Sequence, residues 1–349
     1  MIRMLVARSD FRGKTRRCFV HRQLLQVLGG VVVALLLPGC VVQAQEPPTL
    51  DATDRVLVVV GAAGADEYTG EFSQWADAWR QLAMANQWEF QVIGEQTQDV
   101  PPTALDALKA AIADHKDVET RLWIVLLGHG TYAKGIAKFN LVGPDVSAGD
   151  LKRWLTAVRS EVVIVNCSSA SAPFLPELSG PKRVVVTATR AGTETNYARF
   201  GKYLAAAIGN PQADIDHDDS VSLLEAYLAA TAATERFYFD EARLATEHAL
   251  LEDNGDRIGT PGDFFQGVHP VRSSQEGKVA DGRRAARIIL YTSDEVPKLT
   301  PEQVKERETI ETAIDQLRQQ KSVLAEEEYY RQLEELLLRL ARLYKSTDQ

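Results

Sequence analysis

Cysteine is scarce in this chain of 349 residues, which holds only Cys18, Cys40 and Cys167. Two of the three fall within the first 44 residues, so Cys167 has no disulfide partner in the rest of the chain. Disulfide bonds are therefore excluded as the framework of the fold. A lone thiol is either a buried, inert side chain or a reactive group, and the residues around it must decide between the two.

Basic residues are also few once the N-terminal segment is set aside. The first 44 residues hold seven Lys or Arg and one acid, Asp10, which leaves 32 Lys+Arg against 47 Asp+Glu and a net charge of −15. A phosphate backbone needs a basic face on its protein partner. The acidic remainder of the chain offers no such face, so we expect no nucleic-acid partner.

The basic N-terminal segment, residues 1–44, has the pattern of an export signal. Arg16 and Arg17 stand in a twin-arginine-like context, and the apolar run at 24–37 is too short to span a bilayer comfortably. Two cleavage sites fit. Residues 37–40 resemble a lipobox, which would leave Cys40 lipidated and the protein anchored to a membrane. Residues 42–44 resemble a signal-peptidase site, which would release a soluble periplasmic protein, and an uncleaved anchor is the third alternative.

Strand and helix patterns alternate after a polar linker at 45–54. Apolar runs rich in β-branched residues predict buried strands at 55–61, 88–93, 121–127, 161–165 and 183–188, and a short strand at 137–142. Helical spacing predicts helices at 69–86, 103–115, from Ser147 onward, and 198–208. This alternation predicts an α/β fold in which helices cover both faces of a parallel sheet.

The pattern changes after about residue 214. A long helix is predicted at 222–251, followed by an irregular connection at 260–299. Residues 300–349 read as two helices, because the apolar spacing slips in phase between Leu324 and Leu333. We therefore expect a C-terminal helical hairpin, whose surface is a candidate site for a protein partner.

Residues that could take part in catalysis follow two of the predicted strands. His129 follows the third predicted strand between two glycines, and Cys167 follows the fourth. Ligands of open parallel sheets bind beyond the carboxyl ends of the strands, and neighbouring strands lie about 4.8 Å apart. A thiolate attacks carbonyl carbons, and an imidazole can protonate the leaving amine. The backbone N–H groups of Gly130 and Cys167 are candidate donors to the resulting oxyanion.

The stretches IVLLGHG (124–130), VVIVNCSSAS (162–171) and VVVTATRAGTETNYARF (184–200) together resemble the caspase-like cysteine peptidases, and most closely the legumain family. The resemblance covers roughly residues 55–210 and implies a peptidase domain at 55–259. It implies His129 and Cys167 as the catalytic dyad, and it places Thr187, Ala188 and Glu194 in the wall of the substrate pocket.

The sequence departs from the legumain pattern beside the cysteine. Val165-Asn166 stands where legumains usually carry Glu-Ala, and Ser169-Ala170 stands where they carry Ser-Gly. The expected function is an exported, legumain-like cysteine endopeptidase, or a transamidase with the same dyad, that acts on a peptide or protein without a required cofactor. The alternative is a catalytically inactive caspase-like scaffold or binding protein of the cell envelope.

An acidic loop follows the part of the chain that carries the resemblance. Asp214, Asp216, Asp218 and Glu225 stand at positions 1, 3, 5 and 12 of a calcium-loop pattern, with Asp219 where that pattern needs glycine. The competing interpretation is a helix capping box formed by Ser222 and Glu225, with the aspartates in a solvated turn. Calcium is therefore the one metal that the sequence suggests.

Overall fold

The computed structural model describes residues 54–95, 102–273, 280–293, 300–321 and 323–345. The export signal, its two cleavage sites and nearly all of the linker lie outside these residues, so the predictions about them stay predictions. Residues 49–349 form one compact unit. Among the described residues, no helix is both long enough and apolar enough to cross a membrane.

Fourteen strands and eight α-helices make up the described part of the chain. The strands are β1 (Arg55–Val60), β2 (Glu89–Ile93), β3 (Leu122–Leu127), β4 (Gly130–Ala133), β5 (Ile136–Phe139), β6 (Val146–Ser147), β7 (Val162–Asn166), β8 (Arg183–Thr187), β9 (Ser220–Ser222), β10 (Leu250–Glu252), β11 (Thr260–Pro261), β12 (Phe265–Gln266), β13 (His269–Pro270) and β14 (Ile289–Thr292). The helices are α1 (Asp66–Ala85), α2 (Ala104–Asp114), α3 (Ala148–Leu155), α4 (Phe174–Leu178), α5 (Phe200–Ala207), α6 (Leu223–Asp240), α7 (Pro301–Gln319) and α8 (Glu326–Lys345).

A seven-stranded sheet forms the centre, in the order β11-β10-β8-β7-β3-β1-β2. The five strands from β8 to β2 are parallel. At one edge β10 runs antiparallel to β8, and β11 pairs antiparallel with β10. Every residue of β3 and β7 is buried, as expected for parallel strands covered on both faces. The predicted α/β fold with a mostly parallel sheet is therefore confirmed.

Each face of the sheet packs on its own set of helices. Alternate residues of one strand, such as Val58 and Leu57, enter different apolar clusters because successive side chains point to opposite faces. The first cluster includes side chains of α1, α5 and α6, and the second includes side chains of α2, α3 and α4. The first cluster also holds Cys167.

Capping boxes begin two of the helices whose positions the sequence predicts. The Ser147 and Asp150 side chains form the capping box that begins α3, and Thr300 and Gln303 form the one that begins α7. The predicted C-terminal hairpin is present as α7 packed on α8.

The prediction of one long helix at 222–251 is wrong at its C-terminal end, because α6 ends at Asp240. Ala242 adopts a positive φ of 50°, and the Arg243 N–H bonds back to the Tyr238 carbonyl oxygen, which closes the helix. The chain then returns to the sheet as β10. Glu247, between the two, accepts hydrogen bonds from the backbone N–H groups of Arg199 and Phe200 at the start of α5.

Two further segments are more regular than the sequence indicates. The short strand predicted at 137–142 belongs to a three-stranded antiparallel sheet of β4, β5 and β6. The connection at 260–299 supplies β11 to the central sheet and β14, which pairs with β9. The pairing of β14 with β9 joins residues far apart in sequence, so local patterns do not reveal it.

Candidate functional site

His129 lies just beyond the carboxyl end of β3, where the sequence predicts it. Its ring is half-buried among three aromatic rings, with centroid distances of 5.0 Å to Tyr68, 5.4 Å to Phe72 and 5.8 Å to Tyr197. Nε2 lies 3.0 Å from the carbonyl oxygen of Ala63. Because a carbonyl oxygen only accepts, Nε2 carries the proton of this bond. A neutral ring therefore keeps its lone pair on Nδ1.

Cys167 follows β7 and is 1% exposed. The α5 helix packs directly on it, because a Cβ atom at Gly201 would lie 2.8 Å from the Cys167 Cβ and 2.8 Å from the Trp75 ring. Burial raises the pKa of the thiol far above its ordinary value, and the charge of Glu247 raises it further. The thiol therefore stays protonated at physiological pH in this conformation, and only the thiolate is a good nucleophile.

The two predicted dyad residues lie on the same side of the sheet without a direct bond. They share a layer of aromatic side chains, since Phe72 packs on both His129 and Trp75. Among the described residues, no hydrogen bond joins the Cys167 thiol to the His129 ring. A nucleophile and its base need such a contact, although apo structures can show it lengthened.

Both predicted oxyanion donors are already engaged. The Gly130 N–H donates to the Ser169 hydroxyl at 3.2 Å, and the Cys167 N–H donates to the Leu126 carbonyl oxygen at 2.9 Å. A substrate oxyanion would have to displace these partners. The prediction that these groups stabilise an oxyanion therefore requires a rearrangement of the strand ends.

The edge beyond β7 and β8 is filled by small polar side chains that bond to one another. The Ser168 hydroxyl donates to Asn166 Oδ1 at 2.6 Å, and the Ser171 and Thr189 hydroxyls lie 3.2 Å apart. The Thr187 hydroxyl donates to the Thr189 carbonyl oxygen at 2.9 Å. All five side chains are fully buried. Polar groups at this edge are therefore satisfied by the protein itself, except for Asn166 Nδ2, a buried donor without a partner among the described residues.

Of the three residues predicted to form the pocket wall, Thr187 and Ala188 are buried and Glu194 is partly exposed. Thr187 and Ala188 are fully buried, so neither faces an open pocket. Glu194 is bound by His248, whose Nδ1 lies 2.6 Å from Glu194 Oε1. The Arg190 N–H also donates to this carboxylate, at 2.9 Å.

His248 is the residue that sequence reasoning missed. It lies just before β10, whose Leu250 pairs with Thr187 at the carboxyl end of β8. The carboxyl edge of the sheet thus holds two histidines, His129 and His248. Glu247 and His248 fall within the segment that the sequence predicts as a long helix. Their position at the sheet edge follows only from the pairing of β10 with β8.

A cavity of about 390 Å³ opens beside His248, between α6 and the β10–β11 edge. Its polar lining includes Arg190, Glu235, His248 and Asp263, and Leu250 and Phe264 contribute apolar walls. Neither His129 nor Cys167 lines it. The space open to a ligand here is therefore separate from the predicted dyad.

The acidic loop brings three of its four predicted calcium ligands together. One carboxylate oxygen from each of Asp214, Asp216 and Asp218 lies within 4.8 Å of the others. Burial and the neighbouring charge of Asp216 raise the pKa of Asp218 to about 6. Glu225 does not join this group. Its carboxylate accepts from the N–H groups of Ile215 and Ser222, and with the Ser222 hydroxyl it forms the capping box that begins α6.

Comparisons with known proteins leave the function open. No family model and no curated protein matches the chain. A solved structure from Geobacter sulfurreducens resembles it at 10% identity, covering 57% of this chain and 92% of its own, with a TM-score of 0.37. The Drosophila initiator caspase Dronc does so at 14% identity, 52% and 72% coverage, and a TM-score of 0.34. Chaetomium thermophilum Raptor does so at 11% identity, 45% and 18% coverage, and a TM-score of 0.30. Likenesses this distant carry no argument about activity.

Proposed function

We propose that this chain is a caspase-like module of the cell envelope that binds a protein or peptide without cleaving it. The observation that carries the proposal is the burial of Cys167, whose thiol is 1% exposed and lies in the apolar cluster beneath α5. The resemblance of its strand-end segments to the caspase-like peptidases supports the type of fold, and the conformation of those segments supports loss of turnover.

Peptide cleavage places three demands on this site, and the described conformation meets none of them. The nucleophile must be a thiolate, but burial raises the pKa of Cys167. The scissile carbonyl must come within about 3.5 Å of the sulfur, but α5 closes over it at Gly201. The oxyanion needs free donors, but those of Gly130 and Cys167 are engaged.

The C-terminal helices support a role in binding. Tyr330, Leu337 and Leu338 of α8 are 48–49% exposed, although the same helix packs on α7 through its other face. Apolar side chains exposed along one helix are typical of surfaces that contact another protein. We therefore retain this surface as the proposed site for a protein partner.

A cysteine endopeptidase is the second candidate, and the environment of His129 favours it. Its Nε2 is fixed by the Ala63 carbonyl oxygen, which leaves Nδ1 as a base on the side of the sheet that also holds Cys167. A catalytic base held by a third group has this arrangement. If the protein is a peptidase, the described conformation is an inactive form, and α5 must move before the thiol can react.

Labelling with a peptide electrophile separates the two candidates. The purified protein, with and without calcium and after exposure to mild acid, is treated with acyloxymethyl ketone peptides, and mass spectrometry assigns any adduct to Cys18, Cys40 or Cys167. We expect no adduct on Cys167 and no cleavage of a peptide library. An adduct that forms on Cys167 of the native protein, and is slowed in a His129→Ala variant, would establish the peptidase instead.

A further inference from the structure

Helix α8 carries two apolar faces, and α7 covers only one of them. In the described part of the chain, α7 is the only helix or strand on which α8 packs closely. Tyr329 and Leu343 lie about four turns apart on one face and are buried. Tyr330 and Leu337 lie about two turns apart on a second face, about 100° around the helix axis, and are half exposed. The second face is therefore open to solvent or to another molecule.

The charges of α8 are divided between its two halves. Residues 326–335 hold five glutamates and one arginine, a net charge of −4. Residues 336–345 hold Arg339, Arg342 and Lys345 without any acid, a net charge of +3. One end of the uncovered face is therefore bordered by negative charge and the other end by positive charge.

Neither the helix dipole nor the composition of the hairpin accounts for this division. The dipole favours acids and bases only within the first and last turn of a helix, whereas Glu334, Glu335 and Arg339 lie in the middle of α8. The α7 helix is nearly as long and mixes both signs in each half. The division of charge is thus a property of α8 and not of the hairpin as a whole.

A second copy of α8 in antiparallel orientation satisfies both features at once. The apolar face of each copy covers that of the other, and the acidic half of each lies against the basic half of its partner. A parallel pair would instead place the glutamates of one copy beside the same glutamates of the other. Because a two-fold pair buries the same surface on both copies, that surface must be complementary to itself, and α8 meets this condition.

We propose that α8 is a dimerisation helix, which pairs in antiparallel orientation with α8 of a second copy of this chain. The inference rests on the proposed binding function and names the protein that the α8 surface binds. Leu338 lies in one row with Glu334 and Arg342, four positions from each. A pair centred near Leu338 therefore places Glu334 of each copy beside Arg342 of the other. The two hairpins then form a bundle of four helices.

Sedimentation equilibrium of the purified protein tests the proposal. We expect a dimer with a dissociation constant in the micromolar range or below, so that the dimer dominates at about 100 μM. A native chain that remains monomeric at this concentration would overturn the proposal, whether the second face stays open, binds a different protein or is covered by another segment of the same chain. Labelling of Cys167 measures reactivity and not association, so the two proposals can fail separately.

Charge reversals test the antiparallel orientation. Among the described residues, neither Glu334 nor Arg342 has an ion-pair partner, so reversing either charge breaks no internal pair. Glu334→Arg and Arg342→Glu should each weaken the dimer by at least about fivefold, because each creates two repulsive contacts per dimer. The variant with both changes should restore the native affinity, because opposite charges face each other again. A parallel pair, or a dimer formed through another surface, predicts no change in any of the three variants, and that result would refute the proposal.

The apolar face has its own matched pair of variants. Leu337→Lys should weaken the dimer at least about tenfold, because the interface would bury two ammonium groups without partners. Leu244→Lys is the control, since Leu244 is 90% exposed in the loop after α6 and its replacement should leave the dimer unchanged. Circular dichroism checks that both variants keep the helices of the native protein. A dimer that survives Leu337→Lys with its helices intact would contradict the proposed interface, and the charge reversals decide the question if that variant unfolds.

Discussion

His129 and His248 lie at the same edge of the sheet but in opposite environments. His129 is surrounded by three aromatic rings and bonds to the backbone carbonyl of Ala63, beside an apolar core that holds Cys167. His248 is held by the carboxylate of Glu194 and lines an open, acidic cavity. The histidine with the recognisable motif thus packs against aromatic rings of its own protein, and the histidine without one lines an open cavity. A motif locates a residue in the fold, but its surroundings decide which chemistry it can perform.

The largest expected effect on stability concerns Cys167, in the apolar cluster beneath α5. Cys167→Ser should lower the free energy of unfolding by about 2 kcal/mol, because a hydroxyl replaces the thiol in an apolar site with no hydrogen-bond partner. Cys167→Ala should cost about 1 kcal/mol, since it removes one buried sulfur. Urea unfolding measures both. If both variants stay within about 0.5 kcal/mol of the native protein, the thiol lies at an open loop edge and the comparison fails.

The second expected effect concerns Asp281, a buried carboxyl that contacts the residues beside β10 and β11. Asp281 is 1% exposed and accepts from the Asp253 N–H and the Thr260 hydroxyl. Burial raises its pKa to about 7, above the unfolded value near 3.8. The folded state therefore binds this proton more tightly, so its stabilising effect is present below pH 4 and is lost as pH rises through 7.

The expected result follows from that sign. Between pH 5 and pH 8, on the order of 1–2 kcal/mol of stability should be lost through this group, and Asp281→Asn should remove most of that loss. Urea unfolding at the two pH values measures it. A variant with the same pH dependence as the native protein would show that Asp281 is not the group responsible.

His129 gives a third test of its enclosed surroundings. His129→Ala should cost about 1 kcal/mol through lost aromatic contacts, while His129→Phe should cost less because it keeps a ring among Tyr68, Phe72 and Tyr197. Thermal unfolding of the two variants checks the order. A phenylalanine variant as unstable as the alanine variant would mean that the hydrogen bond to Ala63, and not the packing, holds this residue.

Placement at strand ends is the part of the site that the sequence predicts well. Apolar runs and strand alternation place His129 and Cys167 after neighbouring strands, because β3 and β7 follow the simple pattern of buried parallel strands. The burial of Cys167 is not predictable in this way. It depends on Trp75 of α1 and Gly201 of α5, which come together only through tertiary packing.

The end of α6 and the position of His248, which the sequence does not predict, also depend on tertiary contacts. The end of α6 at Asp240 is set by the positive φ of Ala242 and by Glu247, which is engaged at the start of α5, so helical spacing continues past the true end. The pairing of β10 with β8, which brings His248 to the carboxyl edge, joins residues more than sixty positions apart. Local patterns carry no record of such contacts.

The smallest expected effect concerns the acidic loop, where the sequence leaves two interpretations open. Asp219 has a φ of 63°, in the region that favours glycine, so Asp219→Gly should stabilise the loop by less than about 1 kcal/mol. If the three aspartates hold calcium, millimolar calcium should raise the melting temperature. Asp216→Ala should abolish that shift.

Acid should weaken any such binding, because Asp218 takes up a proton as pH falls through about 6. Differential scanning fluorimetry at pH 7.5 and pH 5, with magnesium as the control ion, measures the shift. No calcium-dependent shift at pH 7.5 would leave only the capping box of Ser222 and Glu225.

The rate at which iodoacetamide alkylates Cys167 tests the central claim most directly. The native protein and the urea-unfolded protein are sampled over time, and peptide mass spectrometry follows Cys167 apart from Cys18 and Cys40. Because the thiol is buried and must wait for an opening of the fold, we expect the native rate to be at least about a thousandfold slower. A native rate close to the unfolded rate, or faster than it, would contradict the account, since it would require an exposed and activated thiolate.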